Sequence, residues 1–312
     1  MIKKALSRFL RFSGIVLIIF LLFLFAFQAM VFIHNFWPEG YRFPGVAVRD
    51  KVGVLEIKGP LLSAQRHLED LQRYEERQDV QAVLLDIDSP GGAVAPTQEL
   101  NEGLERIKEA GKPVIASIRS VGASGGYYLA SSADTVVATP GSMVGSIGVQ
   151  IQLMRFEELI DRVGIEYEVI KSGEYKDIGS PFREMAEDER EILRGMIMDV
   201  YDQFIEHIVR NRDDLQRSRV EEIADGSIFT GRQAYDIGLV DVVGTKNRAL
   251  NLAGEAAGVG RDPEIVEPRR PPEPFWGESA VQMLESVSKI FSRDERSVQL
   301  LYMMSEGSFY DD

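Results

Sequence analysis

Apolar positions fall into three patterns along this chain. The first is unbroken. From Phe12 to Pro38 no Lys, Arg, Asp or Glu occurs, and Ile15 to Ile33 is apolar apart from Gln28. At 1.5 Å per residue that run makes a helix about 28 Å long, close to the ~30 Å hydrocarbon core of a bilayer. A cleaved secretory signal has a shorter apolar run and a small-x-small site, which the spacing of Ala26 and Ala29 does not supply. The pattern predicts an uncleaved transmembrane signal anchor within residues 1–36. Lys3, Lys4, Arg8 and Arg11 precede it, so the positive-inside rule places the N-terminus in the cytoplasm. The body is then expected on the extracytoplasmic side of the cytoplasmic membrane.

The second pattern begins after a linker at 37–50 that holds Pro38, Gly40, Pro44 and Gly45. Short apolar runs alternate with helical stripes. Val52–Ile57, Ala82–Ile87 and Pro113–Ile118 predict buried strands, with strand-like runs at Thr135–Val137, Ile147–Ile151 and Tyr167–Ile170. Helices are predicted at Leu61–Gln78, Pro96–Ala110, Ser124–Ser132, Met154–Val163, Ala186–Arg212 and Lys246–Ala257, with a turn at Phe229-Thr230-Gly231. In the long helix Leu193, Met196, Ile197, Val200, Tyr201, Phe204 and Ile208 recur at a 3.6-residue period, the mark of core or subunit interface. Such alternation over 51–260 predicts an α/β domain with a largely parallel sheet.

The third pattern is a tail, 261–312. A proline-rich break at 261–274 precedes one more amphipathic stripe. An apolar run, Leu300-Leu301-Tyr302-Met303-Met304, then stands in otherwise acidic sequence. That run is expected to reach a subunit interface or a substrate groove.

Charge and composition narrow the chemistry. The net charge is −14, and the four basic residues ahead of the anchor leave −18 on the rest. Such a body repels nucleic acid. There is no cysteine, so thiol nucleophiles, disulfides and cysteine metal sites are excluded. The three histidines, His34, His67 and His207, show no ligand spacing and read as surface or boundary residues. A Ser-His-Asp triad and a zinc site are therefore not expected, and no cofactor is implied.

Two glycine-rich turns remain, each after an apolar run: DSPGG (88–92) and GASGG (122–126). Ser124 stands between a strand and a helix start, where the first amides of the helix lack intrahelical partners. Its oxyanion could take the N–H of Gly125, with a second donor from Gly91. Glycine-rich turns also serve simple close packing of helix on strand, so the pattern alone does not decide. Without a usable histidine the general base must be another group, and lysine is the known substitute in serine hydrolases. An ordinary lysine, with a pKa near 10.4, is charged at neutral pH, so the base must be desolvated. Lys171 and Lys176 both follow a predicted strand, and local pattern does not choose between them.

DSPGG (88–92), GASGGYY (122–128), GSIGV (145–149), SGEYKDIGSPFR (172–183) and FTGRQAYDIGLVD (229–241) together resemble the signal peptide peptidase A family of serine proteases, in its short single-copy form. The similarity covers about residues 50–258. It implies the ClpP/crotonase-like fold, a spiral of β-β-α units. By that resemblance Ser124 is the nucleophile, Lys176 the general base and Ser146 the serine that orients the lysine, with Gly91 and Gly125 as oxyanion donors. It further implies a homo-oligomeric ring, of which an octamer is one form, with serine and lysine meeting across a subunit interface. The implied substrates are signal-peptide remnants and other extended apolar peptides. Two alternatives stand beside it: a sibling protease acting on misfolded or specific membrane proteins, and a crotonase-like scaffold that binds peptides without cutting.

Overall fold

The computed structural model of the protein describes residues 21–25, 28, 50–268 and 301–303. The chain divides into two compact units, 1–48 and 49–312. In the first, residues 21–25 and 28 are helical, and the rest of the expected anchor lies outside the described residues. Among the described residues no helix is long and apolar enough to cross a membrane.

The second unit is built on a mixed sheet. β1 (Lys51–Lys58), β2 (Val80–Ser89) and β4 (Val114–Ala123) lie parallel in the order β4-β2-β1. The outer edge of β1 carries β9 (Glu264–Val266), also parallel. β4 is long enough to serve two partners in turn. Its first half pairs with β5 (Thr135–Ala138) and its second half with β6 (Met143–Gly145), both parallel. β7 (Ile228–Thr230) runs antiparallel to β6, and β8 (Val242–Val243) parallel to β5. A separate two-stranded sheet joins β3 (Gly91–Ala93) to β10 (Leu301–Met303) in antiparallel register.

Strand alternation sorts side chains onto two faces. Leu55, Ile57, Val83, Leu85, Ile87, Val114, Ala116 and Ile118 face the larger core. That core is closed by α1 (Gln65–Glu76), α2 (Val94–Glu109), α3 (Gly125–Ser131) and α5 (Glu187–Asn211). Val52, Val54, Ala82, Leu84, Ile115 and Val137 face the other way, onto Ala249 and Ala253 of α8 (Lys246–Ala256). Coverage on both faces is why these strands read as near-continuous apolar runs. Asp86 shares the second face and is fully buried. Arg119 Nε (3.2 Å) and Lys246 Nζ (2.8 Å), at the start of α8, neutralise it.

The expected strands at Ile147–Ile151 and Tyr167–Ile170 do not form. Both fall in the stretch 146–186, whose only helix is the short α4 (Glu157–Val163). There Met154, Leu159, Val163, Ile165, Tyr167 and Ile170 are exposed, Ile170 to 95 %. Apolar sequence without a sheet edge to pair with makes no strand, whatever its propensity. α1 also starts later than its pattern suggests, at Gln65. Leu61 is taken by β3 instead: its N–H donates to Gly91 O (2.8 Å) and its carbonyl accepts from Ala93 N–H (2.9 Å).

Candidate active site

The parallel ladder brings the two glycine-rich turns side by side. Ser89, at the end of β2, pairs with Gly122 near the end of β4. Gly126 lies so close that a Cβ there would stand 2.7 Å from Ser89 O. Residues 122–126 and 88–92 are thus the adjoining C-terminal ends of neighbouring strands. In open parallel sheets, ligands bind at that edge.

Ser124 joins β4 to α3 with φ 50° and ψ −116°, a backbone that L-residues rarely adopt. Strain of this kind persists only where surrounding bonds enforce it, and it clusters at functional sites. Here the enforcement is visible. Ser124 N–H donates to Gly145 O (2.7 Å), and its carbonyl accepts from Tyr128 N–H (2.8 Å). The residue is 1 % exposed, and Oγ reaches only as far as Gly148 O, at 3.5 Å. The N–H of Gly125 is the first amide of α3, with no acceptor inside the helix.

Ser124 and Ser146 line one cavity of about 470 Å³. Ile147 and Val149 form one wall, and Ile197, Met198 and Tyr201 of α5 form another. The pocket is mainly apolar, with Gln150 and Asp225 as its polar lining side chains besides the two serines and Tyr201. Tyr201 Oη donates to Ala224 O (3.0 Å), which ties α5 to the connection between the helix Arg217–Ile223 and β7. The 3.6-residue stripe of α5 thus divides by position. Val200, Phe204 and Ile208 enter the core, while Ile197, Met198 and Tyr201 face the cavity. The sequence marked Ile197 and Tyr201 as apolar stripe, but nothing in it marked them as pocket. A larger groove of about 800 Å³ between α1 and α2 contains no strained serine and is rimmed by Glu69, Glu75, Glu76 and Glu99.

Gly91 stands beside this site on β3, with φ 103°. Its N–H donates to Ser89 Oγ (3.1 Å), and Ser89 Oγ in turn donates to Gly59 O (2.7 Å). Strand alternation turns the Gly92 amide to the side opposite Leu61. Ser89 thus engages the Gly91 amide, a contact the sequence did not signal because any small polar residue ahead of Pro-Gly-Gly would read the same.

Lys176 is exposed and is not among the residues that line the Ser124 cavity. Its segment is braced by charge. Asp177 accepts from Arg183 Nε (2.9 Å) and Lys171 Nζ (2.6 Å), and Arg183 also grips Glu189 at the start of α5. These partners, Arg183 first, hold the Asp177 carboxyl well below the usual carboxylate range. Lys171 also donates to Glu174 O (2.7 Å). Lys176 Nζ has no ion-pair partner among the described residues.

His207 departs from its expected surface place. Its ring is buried and stacks on Tyr128 at 3.7 Å with 7° between the planes. Nε2 stands 3.0 Å from Tyr128 O and 3.1 Å from Ser132 Oγ. Burial lowers its pKa to about 4. It clamps α5 to the helix that follows Ser124 and lies outside the cavity.

A buried serine on a strained strand-to-helix turn, at the C-terminal edge of a parallel α/β sheet and beside a helix amide without an intrahelical acceptor, is an arrangement suited to nucleophilic acyl transfer. A model of peptidase family S49 matches residues 106–260. The chain is 41 % identical over 223 residues to a Synechocystis protein named as a protease, covering 71 % of this chain and 79 % of that one. It is 34 % identical over 187 residues to an Enterococcus faecium protein named signal peptide peptidase SppA, covering 60 % and 54 %. It is 29 % identical over 229 residues to Protease 4 of Haemophilus influenzae, covering 70 % of this chain and 37 % of that one. This chain belongs to the SppA family of peptidase family S49, and its chemistry is that of a serine protease.

Proposed function

We propose that this chain is a membrane-anchored endopeptidase with a Ser/Lys dyad that degrades signal-peptide remnants and similar extended apolar peptides. Ser124 Oγ attacks the peptide carbonyl as its proton passes to neutral Lys176, which Ser146 orients. The amides of Gly125 and Gly91 hold the oxyanion, the latter after the Ser89 hydroxyl yields. The leaving amine takes the proton from Lys176, and water then releases the acyl group from Ser124.

The observation that carries this reading is the separation of the two partners. Ser124 and Ser146 share an apolar cavity, while Lys176 sits on an exposed, apolar-studded arm outside it. The cavity has no lysine among its lining side chains, and on this reading another copy supplies Lys176 to complete it. The exposed Met154, Leu159, Val163 and Ile170 favour a neighbour that covers the arm. On this reading the assembly is a homo-oligomeric ring, the β2-β3-α2 unit is one turn of a ClpP/crotonase-like spiral, and residues 1–36 anchor the ring with its body outside the cytoplasm.

A fluorophosphonate probe tests the proposal. Oligomeric wild type should be labelled, and Ser124→Ala and Lys176→Ala should not. Mixed oligomers of the two variants should regain labelling, because some interfaces then pair an intact serine with an intact lysine. Folded, oligomeric wild type that takes no label would instead support a peptide-binding scaffold. Profiling against signal-peptide fragments and membrane proteins separates the sibling-protease reading, which shares the chemistry but not the substrate.

A further inference from the structure

Both sequence neighbours of Lys176 are tied to the same place, the first turn of α5. Tyr175 Oη donates to Asp188 Oδ2 (3.0 Å). Asp177 is held through Arg183, whose Nε and Nη2 donate to its two carboxyl oxygens at 2.9 Å each. The same guanidinium grips Glu189, with Nη1 at 2.7 Å from Oε2 and Nη2 paired to Oε1. Glu189 is buried and also accepts the N–H of Ala186, just ahead of the helix (2.9 Å). The backbone between these ties is tightly wound. Lys176 N–H donates to Gly173 O (3.2 Å), Ile178 N–H to Tyr175 O (3.1 Å) and Ser180 N–H to Asp177 O (3.0 Å).

We propose that Arg183 and Tyr175 are positioning residues for Lys176, fixing its backbone to the N-terminal turn of α5. This rests on the reading of Lys176 as the general base. Ion pairs on an open surface add little to stability, whereas a planar bidentate guanidinium fixes geometry. A base on a flexible four-carbon stem needs its backbone fixed, because proton transfer requires hydrogen-bond reach and a misplacement of about 1 Å can cost about 100-fold. The anchor is also the informative one. Ile197, Met198 and Tyr201 of the same helix wall the Ser124 cavity, and Ile197 stands about 12 Å along the axis from Glu189. The clamp therefore references the lysine to the element that shapes the substrate site.

The test uses full-length oligomers, the fluorophosphonate probe and a quenched peptide of apolar signal-sequence composition. Arg183→Met should slow labelling and lower kcat by about 10- to 100-fold while KM for the peptide stays near wild type. Arg183→Lys should recover only part of the loss, since one ammonium cannot pair two carboxylates bidentately. Tyr175→Phe deletes one hydroxyl and should lower kcat about threefold, again without a change in KM; it carries the comparison if Arg183→Met does not fold. Mixed oligomers distinguish positioning from general damage. There Ser124→Ala subunits supply the lysine and Lys176→Ala subunits the serine. Adding Arg183→Met to the Ser124→Ala subunit should abolish the restored labelling; adding it to the Lys176→Ala subunit should not. Equal loss in both placements, wild-type kcat in Arg183→Met and Tyr175→Phe, or a raised KM with kcat kept would overturn the proposal. If the parent pair itself restores nothing, the site is not shared between subunits, and the kcat and KM of the unmixed variants decide the positioning role alone. Absence of labelling in wild type would count against the protease reading instead.

Discussion

Ser124 N–H donates to the carbonyl of Gly145, the residue just before Ser146, and the two serines share nearly the same rare backbone, φ 50° and 48°. Ser146 N–H is fixed in turn by Ser227 O at 2.7 Å. The β4–β6 ladder thus locks both hydroxyl-bearing residues into one cavity at some cost in strain. Ser146→Ala and Ser146→Gly separate the side chain from the strain. On the proposed dyad mechanism, in which Ser146 orients the lysine, both should lower kcat by about tenfold or more. Only the glycine variant should gain stability, by about 1 kcal/mol, because glycine tolerates positive φ. Paired kinetics and urea melts of the two variants check this.

The close approach of Leu61 to β3 predicts a sharp contrast between glycines. Gly92→Ala forces a Cβ against the Leu61 backbone and should cost roughly 2–4 kcal/mol, with loss of probe labelling. Gly141→Ala meets nothing within 4 Å and should leave both stability and labelling within error. Equal melts for the two would mean that Leu61 is not held against β3.

His207 gives the fold a pH dependence of defined sign. Burial lowers its pKa from 6.5 to about 4, so between those values the unfolded chain binds a proton that the folded chain refuses. Its contribution is full above about pH 6.5 and is lost as pH falls towards 4, by roughly 3 kcal/mol in all. His207→Gln should flatten the stability profile over that window. An unchanged slope in urea melts from pH 7 to pH 4.5 would remove His207 as its source.

Arg212 and Asp241 tie the end of α5 to the loop before β8. Asp241 Oδ2 accepts from Arg212 Nη1 (2.8 Å) and from Val136 N–H (2.7 Å). Asp241→Ala strands a buried guanidinium and a strand amide and should cost about 3 kcal/mol. Arg212→Met in the same chain should recover part of that loss, which a double-mutant cycle measures.

Much of the sheet was legible because its strands are buried on both faces, so Val52–Ile57 and Ala82–Ile87 are apolar apart from Gly53, Glu56 and Asp86 and agree with β1 and β2. β4 outran its apolar run by five residues, through Arg119 and Ser120 to Ala123, because pairing with β6 sustains a strand that side-chain pattern does not. The short strands β3, β6 and β7 were illegible for the same reason: three residues carry no period. Conversely, Tyr167–Ile170 had the composition of a strand and no edge to join.

The sequence by itself determined the glycine-rich turn around Ser124 and its setting between strand and helix. A glycine-rich turn between an apolar strand and a helix start follows from local composition, and the absent cysteine and the scarcity of histidine leave few ways to activate a serine there. Tertiary structure alone decided which residues wall the cavity, that Ser89 engages the Gly91 amide, that Lys176 stands outside the pocket of its own chain, and that the C-terminal strand lies on β3. Those are contacts between segments distant in sequence. Hydrogen-bond partners and packing neighbours across the sheet set them, and no window of neighbouring residues contains that information.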